Sequence, residues 1–198
     1  PHLMDIFLML GGLPREVFGQ TRTVMHEIEV EDEAQALLTY DNGAVGYAHV
    51  TTCEPQPGPL LQIYGDRGKL KIEGDELSFA RYRTPVGEFS DTTDSMWDKP
   101  EYQEVPLELP ECASGQVEMT RNFARAVLSD DELYAPAEAG LHQLELSNAI
   151  MLSSWTGESV SIPVDRDQFN SLLEERIANS SFQPGSEKKT KRVKLEWV

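Results

Sequence analysis

Two runs of alternating apolar and polar residues, separated by a tight-turn sequence, limit most strongly what this chain can fold into. Residues 35–40 and 44–52 flank the tripeptide Asp41-Asn42-Gly43. Asn-Gly between two such runs is the strongest short-range signal of a β-hairpin, because both residues tolerate the positive φ that the turn requires. The sequence therefore predicts two antiparallel strands here.

Further turn signals extend this antiparallel pattern. Before the hairpin, the alternation predicts strands over 15–25 and 26–32. After it, turns predict strands over 60–64, 69–72, 76–83 and 102–109. The polar stretch 84–100 is predicted to be a long loop.

Apolar residues at helical spacing predict the remaining elements. A short helix over 3–11 ends at two glycines, and longer helices follow over 114–128 and 137–155. After a short strand over 160–164, Asp165 is suited to cap a last helix that continues to Ile177. We therefore expect an α+β fold, in which an open, mostly antiparallel β-sheet of about six to nine strands has helices packed on one face. If its other face is apolar, we expect it to be an oligomer interface or a docking surface.

Charge and cysteine content restrict the class of protein. The 198 residues carry a net charge of −17, which repels phosphate backbones and argues against nucleic-acid binding. No stretch reaches the length of a membrane span. Cys53 and Cys112 lie far apart and outside any C-x-x-C motif, which favours two reduced thiols in a cytoplasmic protein over a disulfide.

The last residues differ from the rest of the chain. We divide the chain into a main domain at 1–183 and a basic tail at 184–198. The alternation at the end of this tail suggests a terminal strand or an exchanged arm. Its basic cluster is interpreted as a solvated tail or a counter-charge to an acidic surface, rather than as a localisation signal or an anion-binding patch.

A few residues are candidates for chemistry. His2 and Asp5, at i and i+3, share one helix face, and histidine is the default general acid or base because imidazole titrates near neutral pH. On spacing alone, an ordinary helix-terminal histidine is the simpler interpretation. The acidic segment that starts at His26 resembles a metal site, but on a strand its glutamates would form one solvated face. The sequence contains no glycine-rich dinucleotide motif, no phosphate loop and no zinc-ligand spacing.

Five segments share the motifs, order and spacing of one known family. They lie at 1–5, which contains H-x-x-D, and at 12–17, 31–44, 63–70 and 146–165. Together they resemble the C-terminal domain of the Gfo/Idh/MocA oxidoreductases, the relatives of glucose–fructose oxidoreductase and inositol dehydrogenase. The resemblance implies a C-terminal domain of the dihydrodipicolinate-reductase-like type.

The resemblance also implies an activity and a set of site residues. Enzymes of this family bind NAD or NADP in a separate Rossmann domain and move hydride to or from a small sugar or polyol. His2 would be the catalytic acid or base and Asp5 its neighbour. The other candidate substrate-binding residues are Thr51, Thr52, Glu54 and Trp97.

Three functions remain open at this point. In the first, the chain is the substrate-binding and oligomerisation domain of such an enzyme, is inactive alone and binds no cofactor itself. It would form a dimer or tetramer through the sheet face. In the second, it is a non-catalytic interaction module derived from that domain. The third is a metal-dependent hydrolase using His2, Asp5 and the segment at His26.

Overall fold

The computed structural model describes residues 2–54, 60–108 and 115–181, and for His2 and Leu3 it describes the backbone alone. The predicted basic tail at 184–198 and Cys112 lie outside the described residues. Within this part of the chain, no helix is long and apolar enough to cross a membrane.

The described residues form five helices and eight strands. The helices are α1 (His2–Gly11), α2 (Val86–Thr92), α3 (Gly115–Ser129), α4 (Ala139–Thr156) and α5 (Arg166–Ala178). The strands are β1 (Glu16–Arg22), β2 (Glu33–Thr39), β3 (Val45–Thr51), β4 (Leu60–Gly65), β5 (Gly68–Glu73), β6 (Glu76–Tyr82), β7 (Tyr102–Glu104) and β8 (Val160–Ser161).

The strands form two four-stranded antiparallel sheets. The first sheet has the order β3-β2-β1-β8 and the second has the order β4-β5-β6-β7. The predicted α+β class with antiparallel strands is confirmed. The described strands form two sheets rather than the expected single sheet, because none of the described pairings joins β3 to β4.

The hairpin between β2 and β3 forms as predicted. Gly43 has φ of +82°, and the Asn42 side-chain oxygen accepts the Ala44 N–H at 3.0 Å. The Tyr40 N–H donates to the Ala44 carbonyl at 3.0 Å, which closes the turn. The strand register on both sides follows from this turn.

The core lies where α4 packs on one face of the first sheet, with α1 and α5 beside it. The buried apolar residues of this core are Leu8, Val17, Ala36, Leu38, Leu146, Ala149, Ile150, Leu152, Val160, Val164 and Phe169. At the helix C-terminus, Gly157 adopts φ of +73° and its N–H donates to the Ser153 carbonyl. Asp165 caps α5 as predicted, since its side chain accepts two N–H groups of the first turn.

The closest approach of α4 to the sheet occurs at Gly19. A Cβ atom on Gly19 would lie 2.9 Å from the Ile150 carbonyl oxygen, so glycine is required by space. The fully buried Ser153 hydroxyl accepts the Gly19 N–H at 2.8 Å and donates to the Glu158 carbonyl at 2.6 Å. This bridge satisfies a strand N–H that the helix shields from water.

Four segments differ from the sequence predictions. Residues 26–32 form no strand, and the Asp32 side chain instead accepts the N–H groups of Met25 and His26. The predicted loop at 84–100 contains the helix α2, and Asp66 accepts the Gly87 N–H at its start. The strands β7 and β8 are shorter than predicted.

We predict that Gly19→Ala lowers the free energy of unfolding by about 1–3 kcal/mol, because the added methyl group would force α4 away from β1. Chemical denaturation measures this change. The matched control is Gly140→Ala in α4, where an added Cβ meets nothing within 4 Å. This control should leave stability unchanged or raise it by at most about 1 kcal/mol. Equal stability of the two variants would contradict the close packing at Gly19.

Candidate functional site

A cleft of about 240 Å³ opens at one end of the first sheet. The end of β1, the start of β2 and the end of β3 meet there, because Arg22 pairs with Glu33 and Glu33 with Thr51 in the antiparallel register. Helices α1 and α4 form its other wall. The residues that line the cleft are Met4, Thr21, Glu31, Asp32, Glu33, Ala34, Gln35, Ala48, Val50, Thr51, Thr52, Ser147, Ile150 and Met151.

The lining combines apolar surface with groups that bind hydroxyls. Methionine, isoleucine, valine and alanine side chains provide the apolar part, whereas four hydroxyl groups and three carboxylates come from Thr21, Thr51, Thr52, Ser147, Glu31, Asp32 and Glu33. A few polar groups set among apolar walls are typical of small-molecule sites.

Two of the six sequence-predicted site residues, Thr51 and Thr52, line this cleft. The backbone of His2 begins α1 two residues before the lining residue Met4, while the His2 side chain lies outside the described part of the structure. Asp5 is exposed on α1. Glu54 is also exposed and is absent from the lining. Trp97 is 84% exposed, in the segment after α2.

The loop at residues 23–32, called here the 23–32 loop, closes one side of the cleft and is organised by Asp32. The Asp32 carboxylate accepts the backbone N–H groups of Val24 at 2.7 Å, Met25 at 3.0 Å and His26 at 2.9 Å. The His26 ring nitrogen Nδ1 lies 2.9 Å from the same carboxylate. Burial raises the pKa of the Asp32 carboxyl, but these hydrogen bonds outweigh that effect and hold the pKa well below its usual range.

A charged network continues from the cleft along the first sheet. The Glu33 carboxylate accepts hydrogen bonds from the Arg22 guanidinium and, at 3.0 Å, from the Gln35 amide. The Arg22 guanidinium, followed by the Gln35 amide, holds the pKa of the Glu33 carboxyl below its usual range. The cleft is therefore bordered by carboxylates that stay anionic at neutral pH.

Sequence reasoning did not find the role of Asp32. The alternation in 26–32 predicts an exposed strand face. A strand of this kind gives the Asp32 side chain no hydrogen bonds to the local backbone. Aspartate side chains nevertheless commonly bond to nearby backbone N–H groups. The acid-rich stretch that ends at the start of β2 was therefore the available signal.

The fold and the first third of the chain can be compared with known proteins. Residues 1–71 match the model of the GFO/IDH/MocA C-terminal domain. None of the curated proteins matches the chain. This match covers the first third of the chain and makes residues 1–71 similar to the GFO/IDH/MocA C-terminal domain.

Solved structures show the same fold over most of the chain. The WlbA dehydrogenase from Bordetella pertussis, in complex with NADH and UDP-GlcNAcA, aligns with a TM-score of 0.60 and 22% identity, over 83% of this chain and 43% of that one. The UDP-N-acetylglucosamine 3-dehydrogenase GnnA from Acidithiobacillus ferrooxidans aligns with a TM-score of 0.59 and 16% identity, over 77% of this chain and 46% of that one.

A third structure extends the comparison. An oxidoreductase from Agrobacterium radiobacter, in complex with NAD+, L-tartaric acid and magnesium, aligns with a TM-score of 0.56 and 19% identity, over 87% of this chain and 48% of that one. The chain thus has the fold of a Gfo/Idh/MocA C-terminal domain and spans about half the length of these three structures.

The first sheet has a second face that α4 does not cover. Phe18 pairs with Leu37, and Leu37 pairs with Tyr47, so the three side chains form one row across the strands. Their exposures are 48%, 58% and 60% respectively. We call the row of Phe18, Leu37 and Tyr47 the open face.

We predict that Asp32→Asn loosens the 23–32 loop, because an amide replaces an anionic acceptor of three N–H groups with a weaker, neutral one. In hydrogen exchange, the amides of Val24, Met25 and His26 should exchange faster than in the wild type. Those in β1 and β2 should keep their rates. Asp41→Asn, at an exposed hairpin position, is the matched control and should change none of them. Unchanged protection of the three loop amides would contradict the role given to Asp32.

Proposed function

We propose that this domain is the substrate-binding and oligomerisation domain of an NAD(P)-dependent oxidoreductase that acts on a sugar or polyol. The observation that supports this most directly is the position of the cleft beside the first turn of α1. Met4 lines the cleft, and the same turn carries His2 and Asp5 of the family's H-x-x-D motif.

The chemistry of the cleft suits a substrate with several hydroxyl groups. Carboxylates accept hydrogen bonds from sugar hydroxyls, and threonine and serine hydroxyls both donate and accept. The apolar side chains of Met4, Ile150 and Met151 offer surface for the C–H faces of a sugar ring. Two of the similar solved structures are described as a complex with UDP-GlcNAcA and as a UDP-N-acetylglucosamine dehydrogenase, which supports a sugar substrate.

The nicotinamide cofactor does not fit the residues at hand. A dinucleotide site places its pyrophosphate on a glycine-rich loop at a helix N-terminus, and the 198 residues contain no such motif. We therefore infer that the cofactor is held by residues beyond these 198 and that this chain alone is inactive. The contribution of this chain is to bind the substrate, to exclude water from it and to move a proton through His2.

The free thiol of Cys53 supports a cytoplasmic location.

The role of His2 can be tested in a reconstituted enzyme. The chain is combined with the nucleotide-binding half of a Gfo/Idh/MocA relative, and NAD or NADP reduction is followed with sugars and polyols. We expect turnover by the combination and none by the chain alone. His2→Asn should lower kcat by about 100- to 10,000-fold, as expected when a general acid or base is removed. His142→Asn, at an exposed position of α4, should leave kcat unchanged. Wild-type turnover by His2→Asn would contradict the proposal.

The open face supports the oligomerisation part of the proposal. An exposed row of large apolar side chains on a sheet is typical of an interface between subunits. The same observation favours the second candidate function, a non-catalytic interaction module. Reconstitution separates the two, because an interaction module would give no turnover.

We predict that Leu37→Asp, at the centre of this row, raises the dissociation constant of the homo-oligomer by at least about tenfold, because it places a charge in a desolvated interface. Analytical ultracentrifugation measures this change. Leu128→Asp is the matched control, since Leu128 is an exposed leucine on α3 and is not one of the residues of the open face. A monomeric wild-type protein, or equal association of the two variants, would contradict the assignment of the interface.

A further inference from the structure

Three side chains able to bind a metal ion meet where the 23–32 loop contacts the end of β3. A ring nitrogen of His26, the Sγ of Cys53 and a carboxylate oxygen of Asp32 all lie within 4.8 Å of one another. No other group of this kind occurs among the residues that the structure describes. We call these residues the His26–Asp32–Cys53 cluster.

The backbone around the cluster is held by local bonds. Asp32 is fixed by the three N–H groups of the loop, and its side chain is 1% exposed. The Cys53 N–H donates to the Thr51 hydroxyl at 3.0 Å, which sets the thiol just beyond β3. The Cys53 Sγ lies 3.8 Å from the Asp32 carbonyl oxygen. Two separate chain segments are thus positioned with their ligand atoms converging.

The ligand atoms determine which ion fits. A set of imidazole nitrogen, thiolate sulfur and carboxylate oxygen is typical of Zn²⁺, whereas Mg²⁺ and Ca²⁺ prefer oxygen alone. Around a tetrahedral zinc ion with bonds of about 2.0–2.3 Å, neighbouring ligand atoms lie about 3.3–3.8 Å apart. Small side-chain movements, of about 1 Å, bring the cluster to that spacing.

We propose that the His26–Asp32–Cys53 cluster binds one Zn²⁺ ion, which fastens the 23–32 loop to the end of β3. The thiol of Cys53 loses its proton to solvent, and the imidazole binds as the neutral base. Three protein ligands leave a fourth position for water. The net charge of −17 favours the approach of a divalent cation.

The test is a zinc titration of the full chain, in reducing buffer and against a chromogenic chelator of known affinity. The wild-type protein should bind one equivalent. Cys53→Ser and His26→Gln should each weaken zinc binding by at least about tenfold, since even the loss of a residue that only hydrogen-bonds to a metal ligand can weaken binding this much. Cys112→Ser and His142→Gln are matched controls and should bind as the wild type. Circular dichroism of the metal-free variants confirms that they fold.

A second measurement identifies the sulfur ligand directly. With Co²⁺ in place of Zn²⁺, the wild type should show the thiolate-to-cobalt absorption of a sulfur-bound ion, and Cys53→Ser should lose it while Cys112→Ser keeps it. Absence of stoichiometric zinc binding would overturn the proposal. The three side chains would then be held together by hydrogen bonds alone. Binding that depends on Cys112 rather than on Cys53 would also overturn it.

Discussion

The close packing of α4 on the first sheet is the contact on which the core of this structure depends, because α1, α5, β1, β2 and β8 all pack against this helix. At Gly19 the helix backbone approaches the strand so closely that no side chain fits, and Ser153 bonds to the strand N–H that is covered there. The buried residues lie around this contact, as a continuous core between helix and sheet. One face of the sheet is thereby covered, and large apolar side chains on the other face stay exposed.

The same packing produces the cleft. Since α4 and α1 cover one face only as far as the strand ends, a gap remains between the helices and the residues that follow the strands. The 23–32 loop closes this gap, and it keeps its shape because Asp32 binds three of its N–H groups. The position of the candidate site is therefore a property of the core, whereas its shape depends on one aspartate.

The sequence predicted the elements whose signals are local. The Asn42-Gly43 turn and the aspartate that caps α5 each act within a few residues, and both were identified correctly. The sequence did not predict the 23–32 loop, because alternation alone cannot distinguish a strand from a loop bonded to a side chain. The division into two sheets was also missed, since it depends on which strands fail to pair.

The site residues likewise divide into those with a local sequence signal and those that only the fold brings together. Thr51 and Thr52 were two of the candidate substrate-binding residues, and both line the cleft. Their role in binding stays a prediction. The contributions of Ser147 and Met151 come from a helix distant in sequence, so only the fold could reveal them. The His26–Asp32–Cys53 cluster likewise needs the loop and the strand end to meet.

The central claim is that the cleft at the end of the first sheet binds a sugar or polyol. An NMR titration of the isotope-labelled chain with a panel of sugars, polyols and sugar nucleotides tests it most directly. We expect chemical-shift changes that saturate and are confined to the amides of Thr21, Thr51, Thr52 and Ser147 and their immediate neighbours. Saturable changes in the second sheet with none at the cleft would contradict it.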